Sequence, residues 1–186
     1  MPKDAADLHV ERWRDHWVLD ETFDEAVEAM AVRLMHVVRW FDQTTKRAVA
    51  QVGLQDFEYA TLHALMIRDT PGKASPSELA EQTHTSNAGM TGRLDAMENK
   101  GWVQRMPGQG DRRRVDVEAT RSGVEVWRKA MHLRGQAETE IAAVLTPREL
   151  TTLNRLLKKV TLHIESRTEA HSTGRTESRP TTDERG

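Results

Sequence analysis

Residues 75–120 read SPSELAEQTHTSNAGMTGRLDAMENKGWVQRMPGQGDRRRVDVEAT, and the fold is decided there. Ser75-Pro76-Ser77-Glu78 opens a helix. The serine can cap, the proline sits where its missing N–H is not needed, and the glutamate can reach back to the cap. This helix is short, ending near Gln82, and Thr85 or Ser86 restarts a second. The second ends at Asn99-Lys100, with Gly101 just beyond. Two helices of about eight and fifteen residues, separated by about three, have the spacing of a helix-turn-helix. Trp102 to Arg105 and Val115 to Val117 then flank Pro107-Gly108-Gln109-Gly110, the pattern of a β-hairpin with a turn at its tip.

In the second helix Met90, Leu94 and Met97 share one face and are expected to be buried. Ala88, Gly89, Gly92 and Ala96 lie opposite. A glycine inside a helix costs about 1 kcal/mol relative to alanine, so this bare strip predicts close approach to the helix backbone, as by the floor of a DNA groove. Thr85, Ser86, Asn87, Thr91 and Arg93 flank the strip and, with Ala88, form the candidate recognition surface. Hydroxyl, amide and guanidinium groups are those that pair with phosphates and base edges. On the hairpin, Gln109, Arg112, Arg113 and Arg114 are candidate minor-groove contacts, with Asp111 orienting one arginine through a bidentate pair.

Outward from this segment the chain reads as helices. Glu21 to Gln51 is a long one, with Phe23, Val27, Met30, Leu34, Val37 and Phe41 on one face and Gly53 as its stop. A short helix around Leu8 to Trp17 precedes it. Asp56 caps another, running to about Arg68, with Phe57, Leu62, Leu65 and Met66 inward, and Asp69-Thr70-Pro71-Gly72 is a loop. Thr120 caps a helix to about Ala143. Thr146-Pro147-Arg148-Glu149 is a second capping box, opening a helix with Leu150, Leu153, Leu157, Val160 and Ile164 at helical spacing.

Charge is uneven. Net charge is −2 over the chain, yet residues 1–29 carry nine acids against three bases. Residues 100–114 carry Lys100, Arg105, Arg112, Arg113 and Arg114 against Asp111 alone. A basic stretch in a nearly neutral chain is expected where one element meets phosphate. The absence of cysteine excludes disulfides, thiolate zinc sites and thiol redox sensing. No apolar run approaches the ~18 residues that span a bilayer, and Met1 to Asp7 do not form a signal peptide. The reading is therefore cytoplasmic, with no membrane partner. No nucleophile elbow, phosphate loop or dinucleotide fingerprint occurs, so neither an enzyme nor a cofactor is expected. The histidines, His36, His63 and His132 among them, form no ligand pair on one helix face, and no metal site is expected.

Four motifs together carry a resemblance. They are Ser75-Pro76-Ser77-Glu78-Leu79-Ala80, Met90-Thr91-Gly92-Arg93-Leu94-Asp95, Lys100-Gly101-Trp102-Val103-Gln104-Arg105 and Gly110-Asp111-Arg112-Arg113, closing at Thr120-Arg121-Ser122-Gly123. Residues 54–123 resemble the MarR family of transcriptional regulators, with Ala119 where the family usually has leucine. The resemblance implies a mainly α fold with a small β-hairpin wing, a winged helix-turn-helix joined to interlocked dimerisation helices. It divides residues 8–166 into N-terminal dimerisation helices (8–53), a DNA-binding lobe (54–120) and C-terminal dimerisation helices (121–166), while the polar ends read as a disordered N-terminus (1–7) and a disordered tail (167–186). It further implies a homodimer that binds double-stranded DNA at a palindromic operator, usually represses, and is often released by a small-molecule effector. The alternative is a winged-helix architectural or protein-contact module without ligand control.

Glu11-Arg12-Trp13-Arg14 is similar to the N-terminal motif of the family's urate-responsive branch. That likeness implies a ligand pocket at Trp13, Arg93 and Arg105. The branch's pocket aspartate is replaced here by Ala60, which removes the expected acid partner of the arginines. Without that acid, Trp13 is expected to serve as a packing anchor for the N-terminal helix, and urate as a poor effector.

Overall fold

The computed structural model describes residues 1–16, 24–107 and 115–174. Its elements follow from local chemistry. Ser75 Oγ accepts from the Glu78 N–H at 3.3 Å while the Glu78 carboxylate accepts from the Ser75 N–H at 2.7 Å. This capping box starts helix α4 (Pro76–Gln82). The equivalent reciprocal pair at Thr146 and Glu149 starts α7 (Pro147–Gly174). Asp24 caps α2 (Glu25–Gln51), accepting from the N–H groups of Ala26 and Val27. The helix therefore begins a turn later than Glu21, because the Asp24 carboxylate satisfies the first orphan donors; Phe23 lies outside the described residues.

Helix α1 (Ala5–His16) starts inside the segment read as disordered. Asp4 is the reason. Its Oδ1 accepts from the N–H groups of Ala6 and Asp7, both at 2.9 Å. Arg33 of α2 reaches across to Asp4 at 2.8 Å and Asp7 at 2.6 Å, and Ala6 and Val10 are buried beneath. The Arg33 guanidinium, with the backbone N–H groups, holds the Asp4 carboxyl down at about 2. Helix α7 likewise continues past residue 166 to Gly174. Once a helix is nucleated, each added residue gains a hydrogen bond, and Arg167, Thr168, Glu169 and Ala170 do not interrupt it.

Helix α3 (Asp56–Met66) is capped at Gln55 rather than Asp56, with the Glu58 carboxylate accepting from the Gln55 N–H at 2.9 Å. Helix α5 (Asn87–Asn99) and strands β2 (Val103–Pro107) and β3 (Val115–Ala119) follow in the expected order. The hairpin register pairs Val103 with Ala119 and Pro107 with Val115. A third strand, β1 (Lys73–Ala74), adds to β3 in a sheet of order β1-β3-β2. Two residues are too few for a period-2 pattern, so β1 reads as loop. Thr120 Oγ1 accepts from the Gly123 N–H at 3.0 Å at the start of α6 (Arg121–Ala142).

The fold is thus mainly helical with a small winged sheet. Leu62 and Leu65 of α3, Leu79 of α4, Met90, Leu94 and Met97 of α5, Val103 of β2 and Val117 of β3 are all fully buried in one core. The chain divides into two compact units, residues 1–138 and 139–186. In the first, Val27, Met30, Leu34 and Val37 of α2 are exposed in the single chain. In the second, so are Leu150, Leu153, Leu157, Val160 and Ile164 of α7. No described helix is long and apolar enough to cross a membrane.

Candidate nucleic-acid interface

Two helices and the turn between them make the surface. Ser86 is the cap of α5, its Oγ accepting from the Gly89 N–H at 3.1 Å. Thr85 is partly buried. Asn87, Ala88, Gly89, Thr91 and Gly92 face solvent, with Thr91 Oγ1 donating to the Asn87 carbonyl at 3.0 Å. Met90, Leu94 and Met97 anchor the opposite side, so this helix presents a polar, nearly side-chain-free edge on a rigid base. Arg93 turns back toward its own lobe. It is half-buried, with its guanidinium carbon 5.8 Å from the Phe57 ring centroid.

The two glycines of the strip differ. A Cβ on Gly89 would meet Thr85 Oγ1 at 3.0 Å and Ser86 Oγ at 3.2 Å, so glycine makes room for the cap. A Cβ on Gly92 would meet nothing within 4 Å. Among the described residues nothing requires glycine there, and its cost points to an outside partner. Gly92→Ala should therefore raise stability by about 1 kcal/mol while weakening binding to a DNA duplex. Paired urea melts and anisotropy titrations check this; an alanine variant that bound DNA as wild type would remove Gly92 from the interface.

The basic stretch needs correction. Lys100 and Arg105 belong to the stretch whose charge is expected to meet phosphate, and both are spent within the chain. Lys100 Nζ lies 2.7 Å from Glu58 Oε1, whose side chain is fully buried. The contact is a close ion pair rather than an aligned hydrogen bond. Arg105 pairs with Asp95 at 2.5 Å and with Glu98, tying the root of the wing to α5. Asp95 and then Glu98 raise the guanidinium pKa above its ordinary value. Sequence reasoning missed Glu58, although a signal was there: it shares a helical face with Leu62 and Leu65, a charge on an apolar stripe. Gln109, Asp111, Arg112, Arg113 and Arg114 lie outside the described residues, in the connection between Pro107 and Val115.

The remaining candidates are placed as follows. Trp13 is half-buried on α1, its ring 5.5 Å from that of His9. Ala60 is half-buried on α3. His63 accepts from Trp127 Nε1 at 3.4 Å and stacks on Tyr59 at 5.4 Å. Its burial, and then the charge of Arg134, lower its pKa, which suits a neutral acceptor. Among the described residues no group of three or more His, Asp or Glu side chains could hold a metal ion.

Residues 57–115, which lie within this lobe, match the MarR family. The regulator PecS of Dickeya dadantii is 31% identical over 157 residues, covering 83% of this chain and 92% of PecS. The chain belongs to the MarR family. It is a DNA-binding transcriptional regulator of that winged helix-turn-helix type. Among solved structures, a mutant MarR from Escherichia coli complexed with operator DNA is 29% identical, with a TM-score of 0.52 over 69% of this chain and 91% of that one. YusO of Bacillus subtilis shares the fold at 18% identity, with a TM-score of 0.64 over 76% of this chain and 99% of YusO.

Proposed function

We propose that this MarR-family regulator works in the cytoplasm as a symmetric homodimer that represses from a palindromic operator, one α5 helix reading each half-site. The solvent-facing edge of α5 carries the reading: Asn87, Ala88, Thr91 and an unneeded glycine at 92, held on a fully buried apolar base. The apolar faces of α2 and α7, exposed in the single chain, support the dimer. The tip arginines Arg112, Arg113 and Arg114, with Gln109 and with Asp111 orienting one of the arginines, supply the wing contacts. Release by a small anionic effector at Trp13, Arg93 and Arg105 completes the reading. Such an anion competes with Phe57 for Arg93 and with Asp95 and Glu98 for Arg105, and a tenfold loss of DNA affinity needs about 1.4 kcal/mol of preference for the released state.

The test starts with the purified protein, sized by light scattering and then used to select its operator from random-sequence duplexes. A dimer should prefer that operator over random DNA by ~10³-fold or more. Asn87→Ala should cost about 1–3 kcal/mol on the operator alone, whereas Arg113→Ala should weaken all duplexes and flatten the salt dependence. Equal loss on both duplexes for Asn87→Ala would remove it as a base reader. No preference for any duplex would turn the reading toward an architectural role.

A further inference from the structure

Three helices of the DNA-binding lobe and its entry end in the same hydrogen-bonded motif. In each, the residue after the cap donates to the carbonyl three positions back, and the next donates five back: Gly53 to Ala50 and Leu54 to Val49, His84 to Glu81 and Thr85 to Ala80, Gly101 to Glu98 and Trp102 to Met97. The motif needs a left-handed backbone at that residue, which glycine adopts without strain. Two of the three use glycine, at φ +78° for Gly53 and +73° for Gly101. The third, at the turn of the helix-turn-helix, uses His84 at φ +50°. Such turns often carry glycine, and an L side chain held there is strained.

The fold gains nothing visible from this imidazole. Thr83 and Thr85 on either side are partly buried and His84 is exposed. Among the described residues its side chain has no hydrogen bond, ion pair or ring contact. Strain kept at an exposed position, without an internal partner, is the pattern of a residue retained for an outside contact. Its position says which contact. The first helix of such a motif crosses the DNA backbone while the N-terminus of the second enters the groove. The turn between them therefore lies over the strand at the groove's edge, two residues before the Ser86 cap.

We propose that His84 is a DNA-contacting residue whose imidazole N–H donates to a backbone phosphate beside the groove that α5 enters. A phosphate contact fixes the register of the helix and carries no sequence information. The inference rests on the DNA-binding reading above. Full-length wild type and His84→Gly are compared by thermal melting and by anisotropy titration on the selected operator and on a random duplex of equal length. Glycine relieves the strain, so Tm should be equal or higher. Loss of one hydrogen bond should weaken both duplexes alike, by about three- to tenfold. Unchanged affinity on both duplexes, with wild type binding normally, overturns the role of His84 alone. A fall in Tm accompanying the loss of affinity would make the residue structural and overturn it too. Failure of wild type to bind any duplex overturns the DNA reading itself.

Discussion

Lys100→Met should lower the unfolding free energy by about 3 kcal/mol, near the bottom of the range for breaking a buried ion pair. The Glu58 carboxylate has no access to solvent, and its described partners are the Gln55 N–H and the Lys100 ammonium. Methionine keeps the apolar stem and removes the charge, leaving a buried anion with a single donor. The lower figure applies because the Lys100 side chain is itself 43% exposed, so part of its charge is screened by water. Lys100 also caps the C-terminus of α5, where a cation is favoured by the helix dipole. For a chain of this size the loss corresponds to a Tm lower by about 6–12 °C, read by calorimetry. Glu58→Gln added to Lys100→Met should restore much of that, since a buried amide needs no counterion. The salt dependence of DNA binding should match wild type, because this ammonium is paired internally and does not displace counterions from DNA. A cost below about 1 kcal/mol, the range of an exposed pair, would show that the pair does not anchor α5.

Gly123→Ala should be comparably damaging for a steric reason. A Cβ there would lie 2.0 Å from the Trp102 carbonyl oxygen and 2.9 Å from its carbon, both backbone atoms that cannot rotate aside. The start of α6 would have to lift away from the end of α5. That junction is stitched by Thr120 Oγ1 donating to the Gly101 carbonyl at 2.6 Å, Ser122 Oγ donating to the same carbonyl at 3.0 Å, and the Thr120 N–H donating to the Trp102 carbonyl at 3.1 Å. Forcing a methyl group into such a contact costs about 2–3 kcal/mol or more. Operator affinity should fall with stability, because the same junction aims the wing. Gly135→Ala on the same helix is the internal control. Among the described residues of the single chain its Cβ meets nothing within 4 Å, so it should be neutral or stabilising by up to about 1 kcal/mol. Urea melts of the two variants, run together, separate backbone crowding from the general effect of replacing a helical glycine. Equal behaviour of the two would refute the steric account.

Most of the elements were legible in the sequence, and for one reason. The signals that start and stop helices act over three or four residues. Ser75 with Glu78, Thr146 with Glu149, and Gly53 and Gly101 just past their helices all behave as their spacing predicts. So does the buried stripe of Met90, Leu94 and Met97, because a helix brings residues three and four apart to one face. The two long wing strands carry enough residues for their pattern to appear. The solvent-facing position of Asn87, Ala88 and Thr91 followed from these local facts, since fixing the buried face fixes the exposed one.

Only the tertiary structure decided which polar groups are free to meet DNA. Lys100 and Arg105 look like phosphate contacts in a charge count, but Glu58, Asp95 and Glu98 arrive from elsewhere in the fold to neutralise them. Arg93 reads as an outward guanidinium and is drawn back over Phe57. Gly89 and Gly92 look alike in the sequence, yet one makes room for a cap and the other faces open space. The strand at Lys73–Ala74 exists because β3 offers an edge to pair with, not because of its own two residues. Helix caps and apolar stripes are written into neighbouring residues by backbone geometry. Ion pairs and close approaches depend on where distant segments return, and that is set only once the core has packed.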